Sequence, residues 1–163
     1  MAHSSIGRIS GFQPEEKSSS LLWATIFLHK PVYLFHMKVV ISGSRTLTNK
    51  RLVESYLETC EFNITTLICG YDPEKKLPKG VDEIAYNWAK SKGIATETYP
   101  ADWDKFGKTA GILRNKQMVQ LADALVAIWD GSSRGTLSTI NFWKQKAKII
   151  FKDPTYNCKV FKV

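Results

Sequence analysis

The chain has 163 residues, 44% of them hydrophobic and 23% charged, enough for one ordinary domain and too few for two with separate cores. Ten glycines and six prolines exclude a collagenous or low-complexity chain, and five Trp, eight Phe and six Tyr exclude an intrinsically disordered one. The formal charge of +8, from 23 Lys and Arg against 15 acids, favours anionic partners such as phosphates, nucleotides or nucleic acid, with a merely solvated basic surface as the bland alternative.

Residues 1–36 read unlike the remainder. A polar, Ser-rich stretch is followed by the apolar run Leu21–Leu28, which His29, Lys30 and Pro31 interrupt after eight residues, far short of the roughly 20 a membrane-spanning helix needs. Glu15 and Glu16 stand where a secretory signal would carry positive charge. Met37, followed at once by Lys38 and a β-branched run, reads as a natural start. Residues 1–36 are therefore expected to be a disordered extension or an upstream-translation artefact, with a weak membrane-surface anchor as the alternative, and residues 37–163 to be the domain. The extension holds Arg8, Lys17 and Lys30 against two Glu, leaving +7 on the domain.

Taken in chain order from Met37, Lys38–Ser42 is a short apolar run ending at Gly43, the pattern of a buried parallel strand. Asn49 or Thr48 caps a helix through about Cys60, with Leu52, Val53, Tyr56 and Leu57 on one face. Thr65–Cys69 repeats the strand pattern and meets Gly70. YDPEKKLPK at 71–79 reads as a loop, and Val81, Ile84, Ala85 and Trp88 then mark a helix ending at Gly93. Ile94–Tyr99 is a third strand, 100–109 a loop, Ala110–Ala122 a helix and Ala124–Trp129 a fourth strand. A turn at 130–135 leads to a helix from Thr136 to about Lys146, and the β-branched run Ala147–Phe151 reads as a fifth strand, with Cys158–Val163 as an additional edge strand. This alternation predicts an α/β fold, a Rossmann-like three-layer sandwich with a mainly parallel sheet.

In such a fold ligands bind outside the carboxyl ends of the strands. Gly43, Ser44 and Arg45 follow the first strand: the glycine lets backbone amides approach an anion, the serine adds a donor, and the arginine pairs bidentately with phosphate. Asp130, Gly131, Ser132, Arg134, Gly135 and Thr136 follow the fourth strand and open a helix, so their amides and the helix N-terminus would face the same crevice. The pattern is neither GxxxxGK[ST] nor GxGxxG, which removes support for ATP hydrolysis and ordinary NAD-dependent dehydrogenation. An ordinary capped strand-to-helix turn is the alternative at each of these sites. Gly80 opens the second helix, with Asp82 placed for a sugar hydroxyl or for capping. Trp103 offers a wall for a base or cover for a core edge, and Lys108, Arg114 and Asn115 can reach the sheet edge or stay solvated.

All three histidines precede Met37, so a site in the domain has no histidine base, triad or metal ligand. Cys60, Cys69 and Cys158 show neither CxxC spacing nor a partner base, which argues against a disulfide framework, a zinc site or a thiol nucleophile and for a reducing, cytoplasmic setting. No cofactor or metal is called for.

ISGSRT at 41–46, CG at 69–70 followed by KGVDEIA at 79–85, PADWDKFGKTAGILRN at 100–115 and ALVAIWDGSSRGT at 124–136 together resemble the SLOG superfamily, the Rossmann-like group that includes LOG phosphoribohydrolases, DprA and YpsA-like proteins, and most of all its small stand-alone YspA/YpsA-like branch. The resemblance runs from about Met37 to Phe151. It implies binding of a nucleotide or nucleotide-derived metabolite, with Ser44, Arg45, Gly70, Arg114, Asn115, Gly131, Ser132, Arg134, Gly135 and Thr136 lining the pocket. Two departures stand out. YDPEKKLPK replaces a tight GGARG-like turn, and Thr139 occupies the position of the glutamate in the GGxGTxxE motif of the phosphoribohydrolases. A hydroxyl cannot act there as acid, base or nucleophile at neutral pH, although Asp82, Glu83, Asp102 and Asp104 remain as carboxylates on other loops.

The leading expectation is therefore a sensor or sequestering domain for a nucleotide, ADP-ribose or NAD-like small molecule, with no membrane partner. The alternatives are an N-glycosidic hydrolase using Asp82 or Glu83, and DprA-like binding of single-stranded nucleic acid by Trp103, Lys105, Lys108 and Arg114. Trp88 and Trp143 would serve self-association if exposed and the core if buried.

Overall fold

The computed structural model describes residues 36–163, so residues 1–35 of the expected extension lie outside the described residues. Five strands form one sheet: β1 (Lys38–Gly43), β2 (Thr66–Cys69), β3 (Ala95–Thr98), β4 (Ala124–Trp129) and β5 (Cys158–Lys162). Their order is β3-β2-β1-β4-β5, and every pairing is parallel. The intervening helices are α1 (Lys50–Glu58), α2 (Val81–Ser91), the single-turn α3 (Trp103–Phe106), α4 (Ala110–Leu121) and α5 (Arg134–Phe151).

The layering follows from alternation along strands that are apolar on both faces. Val39, Ile41, Leu67, Val126 and Ile128 pack on one side with Val53 and Leu57 of α1 and Val81, Ala85 and Trp88 of α2. Val40, Ile68, Leu125 and Ala127 pack on the other with Met118 and Val119 of α4 and Ile140, Trp143 and Ala147 of α5. The fold is thus a Rossmann-like three-layer α/β sandwich with an all-parallel sheet. Trp143 is fully buried and Trp88 nearly so, which assigns both to the core and removes them from any exposed helix face.

Local chemistry sets the element ends. The Asn49 side chain accepts the Leu52 amide at 3.2 Å and starts α1, and Asp102 accepts the Lys105 amide at 2.9 Å and starts α3 inside the stretch expected to be loop. The ammonium of Lys146, on α5, donates to the carbonyls of Val119, Gln120 and Ala122, satisfying acceptors that the C-terminus of α4 leaves open.

One strand expectation is corrected. Ala147–Phe151 is not a strand but the last turn and a half of α5. Trp143 and Ala147 continue the buried stripe begun by Ile140, while Ile149, Ile150 and Phe151 lie 71%, 56% and 42% exposed. Lys152 in the left-handed region (φ 61°) and the following Asp153-Pro154 end the helix. The fifth strand is Cys158–Lys162, the segment expected only as an extra edge, and it pairs with β4.

Candidate functional site

A sheet of order 3-2-1-4-5 reverses direction between β1 and β4, and the crevice outside the carboxyl ends of those two strands is the general ligand position of such folds. Two hollows open there. The first, about 360 Å³, lies at the reversal point between the turns after β1 and β4 and is walled by Gly43, Arg45, Thr46, Asp82, Arg114, Asn115, Asp130, Ser132, Gly135 and Thr136, with Ser42, Met118 and Ser133. The second, about 380 Å³, lies over the end of β2 and is walled by Gly70, the 72–79 segment, Pro100, Ala101 and Trp103. Arg45 and Arg114 belong to both walls.

The turn after β4 is held by its own carboxylate. Asp130 accepts the Thr46 hydroxyl at 2.7 Å and the amides of Ser132 and Ser133 at 2.9 and 2.8 Å, and these donors, Thr46 first, keep its carboxyl well below the usual range. Two amides expected to face an anion are therefore already occupied by an internal one. Ser133 caps α5, its hydroxyl meeting the Thr136 amide at 3.4 Å and the Thr136 hydroxyl at 3.0 Å, which leaves the first-turn amides of Arg134 and Gly135 without intrahelical acceptors. Ser44 is fully buried and its hydroxyl accepts the Asp130 amide at 3.1 Å, so it ties the two turns together instead of lining the crevice.

The other half of the crevice is less settled. Gly80 opens α2 at φ 87° with no side-chain cap, so Asp82, in the first turn, does not serve as the capping residue. Its carboxyl is buried in the wall of the first hollow. Burial pushes it up, against the opposing pull of Arg114, the Gly70 backbone and Arg45. Burial likewise pulls the Arg114 guanidinium down, with Asp82 opposing. No salt bridge joins the two. Arg114 gives one long hydrogen bond, 3.4 Å, to the Tyr99 carbonyl, and its Nε is buried without a partner. Gly70 makes room for it: a Cβ there would lie 1.2 Å from Arg114 Nη1.

The remaining expected residues divide. Asn115 is buried and donates to the Gly135 carbonyl at 3.1 Å, fixing α4 against the first turn of α5. Trp103 is 51% exposed, lies against Gly111 of α4 and stands in the wall of the second hollow. Gly80, Lys108, Gly131 and Arg134 line neither hollow. Gly80 packs beneath the Ser44-Arg45 backbone, Gly131 faces Lys162 of β5, and Lys108 and Arg134 are exposed. Thr139 is fully buried, its hydroxyl bonded to Ser42 at 3.2 Å and to the Gly135 carbonyl at 3.1 Å, so the position that carries a glutamate in the phosphoribohydrolases faces the core. Glu83 is paired with Lys79 at 2.7 Å and Asp102 caps α3; of the four alternative carboxylates only Asp82 lines a hollow. Burial pushes the Cys69 thiol up to about 12 and Cys158 up to about 11, which works against the thiolate a nucleophile needs.

Sequence reasoning missed Thr46, Leu77, Pro78 and Pro100. The 71–79 segment is an ordered hairpin: Asp72 and Leu77 exchange backbone hydrogen bonds, and the Asp72 carboxylate accepts the amides of Glu74 and Lys75 at 3.0 and 3.1 Å. The two prolines that flagged a loop also flagged a stiff one, the available signal that it could form a wall.

Fold and crevice together define a Rossmann-like domain with a polar cleft at its topological switch point and an arginine pair at the centre of that cleft. The model of the YspA, cpYpsA-related SLOG family (YAcAr) matches residues 37–106, and the chain belongs to that family. The chain is also similar to the Gene 61 protein of Mycobacterium phage D29, 42% identical over 109 residues that cover 61% of this chain and 82% of that protein. No solved structure matches the chain. No helix among the described residues is long and apolar enough to cross a membrane.

Proposed function

We propose that the protein binds a nucleotide or nucleotide-derived metabolite in the switch-point crevice and acts as a cytoplasmic sensor or sequestering domain. The observation that carries this reading is the half-buried Arg114, whose Nε is buried without a partner, beside the buried carboxyl of Asp82 at the carboxyl end of the sheet. A buried polar group without a partner costs about 1–3 kcal/mol, and a ligand that completes its hydrogen bonding recovers that cost. Arg45 and Arg114 suit a phosphate, Asp82 suits a ribose hydroxyl, and the open amides of Arg134 and Gly135 add donors at a helix N-terminus.

A second reading has its own support. Asp82 is pushed up by burial, the direction that lets a carboxyl hold a proton for a departing base while water attacks the ribose C1′. Asp82 would then be the acid of an N-glycosidic hydrolase despite Thr139. Single-stranded nucleic acid fares less well, because Arg114 is drawn into the crevice and no longer continues a surface stripe with Lys105 and Lys108.

The test is the melting temperature of the chain against mononucleotides, dinucleotides, NAD and ADP-ribose, with chromatography of each mixture. Stabilisation with the ligand intact supports the sensor, and release of free base supports the hydrolase. No stabilisation by any of them at saturating concentration overturns both.

A further inference from the structure

The chemistry along the crevice changes in a definite order. The first hollow presents carboxylates and hydroxyls, with Asp82, Asp130, Thr46 and Thr136 in its wall. Arg45 and Arg114 stand in the walls of both hollows. Beyond them the second hollow is apolar, made by Leu77 and Pro78 of the hairpin, Pro100, Ala101 and the indole of Trp103. Leu77 is 53% and Trp103 51% exposed, a large apolar area left open to water around a concave space. One edge of the indole rests on α4: a Cβ on Gly111 would lie 3.2 Å from Trp103 Cη2.

Charge follows the same order. Lys79 is matched by Glu83, Lys75 and Asp72 share one wall of the second hollow, and Arg45 and Arg114 are the two cations common to both hollows, with the carboxylates of Asp82 and Asp130 on the first-hollow side of them. Two guanidinium groups side by side offer one bidentate donor to each phosphate of a diphosphate esterified at both ends. Each hollow alone is near the lower limit of about 300 Å³ for a small-molecule site, which suits one ring apiece.

Resting on the nucleotide reading above, we propose that the hollow under the 71–79 hairpin is a second subsite that stacks a planar ring on Trp103, and that the whole crevice takes a nucleoside diphosphate joined to a sugar. The ring lies between Trp103 and Leu77, the diphosphate between Arg45 and Arg114, and the sugar hydroxyls against Asp82. The hairpin that departs from the tight turn of the wider superfamily is then the element that selects the ligand.

The experiment is calorimetric titration of the full chain and its Trp103→Ala variant with ADP-ribose, UDP-glucose, AMP and ribose 5-phosphate. The expected result is that at least one of the two diphosphate compounds binds tenfold or more tightly than AMP and ribose 5-phosphate. Trp103→Ala then weakens that diphosphate compound by about tenfold, the scale of base–aromatic stacking, and leaves ribose 5-phosphate unchanged. AMP binding as tightly as either diphosphate compound, with Trp103→Ala indifferent to all, overturns the second subsite while the nucleotide reading stands. No binding by any of the four overturns this inference together with the reading it rests on.

Discussion

The two sides of the crevice solve the same polar problem differently. Where β1 and β4 end, Asp130 gathers Thr46, Ser132 and Ser133, and Ser44 locks the two turns together. On that side the carboxylate and the hydroxyls find their partners within the chain, and only the first-turn amides of α5 stay open. Where β2 ends and α2 begins, Asp82 is buried and Arg114 half-buried with no salt bridge between them, and one guanidinium nitrogen is buried without a partner. The first side is held together by its own hydrogen bonds, while the second keeps a buried guanidinium nitrogen that the chain leaves unpartnered, and that difference is what the proposed ligand position rests on.

The largest effect that sharpens this contrast comes from two glycines. A Cβ at Gly43 would lie 2.3 Å from Cβ of the fully buried Val81, and Gly43→Ala should destabilise the fold by about 3 kcal/mol in urea unfolding, as overpacking against a fixed helix does. A Cβ at Gly70 meets only the tip of the Arg114 side chain. Gly70→Ala should displace that side chain with a stability change of about 1 kcal/mol or less, yet abolish ligand-induced stabilisation. Equal unfolding by both substitutions would erase the distinction between the two sides.

Asp82→Asn comes next. A carboxyl raised by folding disfavours the folded state at every pH above its unfolded value of about 3.9, so the variant should melt higher than the parent at neutral pH while binding ligand about tenfold more weakly. The smallest effect is the reverse one at Asp130. Folding lowers its pKa, so its contribution is full above the unfolded value and fades as pH falls below it. Asp130→Asn should melt lower than the parent at pH 7, and the difference should shrink on acidification below about pH 4. The same sign for both Asn substitutions at neutral pH would break the comparison.

Much of the frame was legible in the sequence because each central strand is a short β-branched run stopped by a glycine or by a polar turn, and each helix except α5 ends close to where its apolar stripe ends. The stretch Ile149-Ile150-Phe151 misled because β-branched residues suggest a strand even where they lie on the exposed face of a helix already anchored by Trp143 and Ala147. The role of Asp130 was not legible, since its carboxylate takes a hydroxyl from Thr46, 84 residues earlier in the chain, and no local pattern records such a contact. The second hollow escaped for the same reason: its walls come from the 72–79 hairpin and from 100–103, of which only Trp103 stands out before the sheet brings them together. Arg114 can reach the sheet edge or stay solvated on the sequence alone, and only its placement against Gly70 decides between them.

The central claim is where an anionic ligand is held, and two arginines test it most directly. Arg114 lines both hollows, whereas Arg134 is exposed and lines neither. The measurement is the affinity of Arg114→Ala and Arg134→Ala, each against the parent chain, for the most stabilising nucleotide at two salt concentrations. A loss of tenfold or more for Arg114→Ala at both salts, with Arg134→Ala close to the parent, is the expected result. Equal losses for both variants, vanishing at high salt, would place the anion on the outer basic surface and contradict the assignment of the crevice.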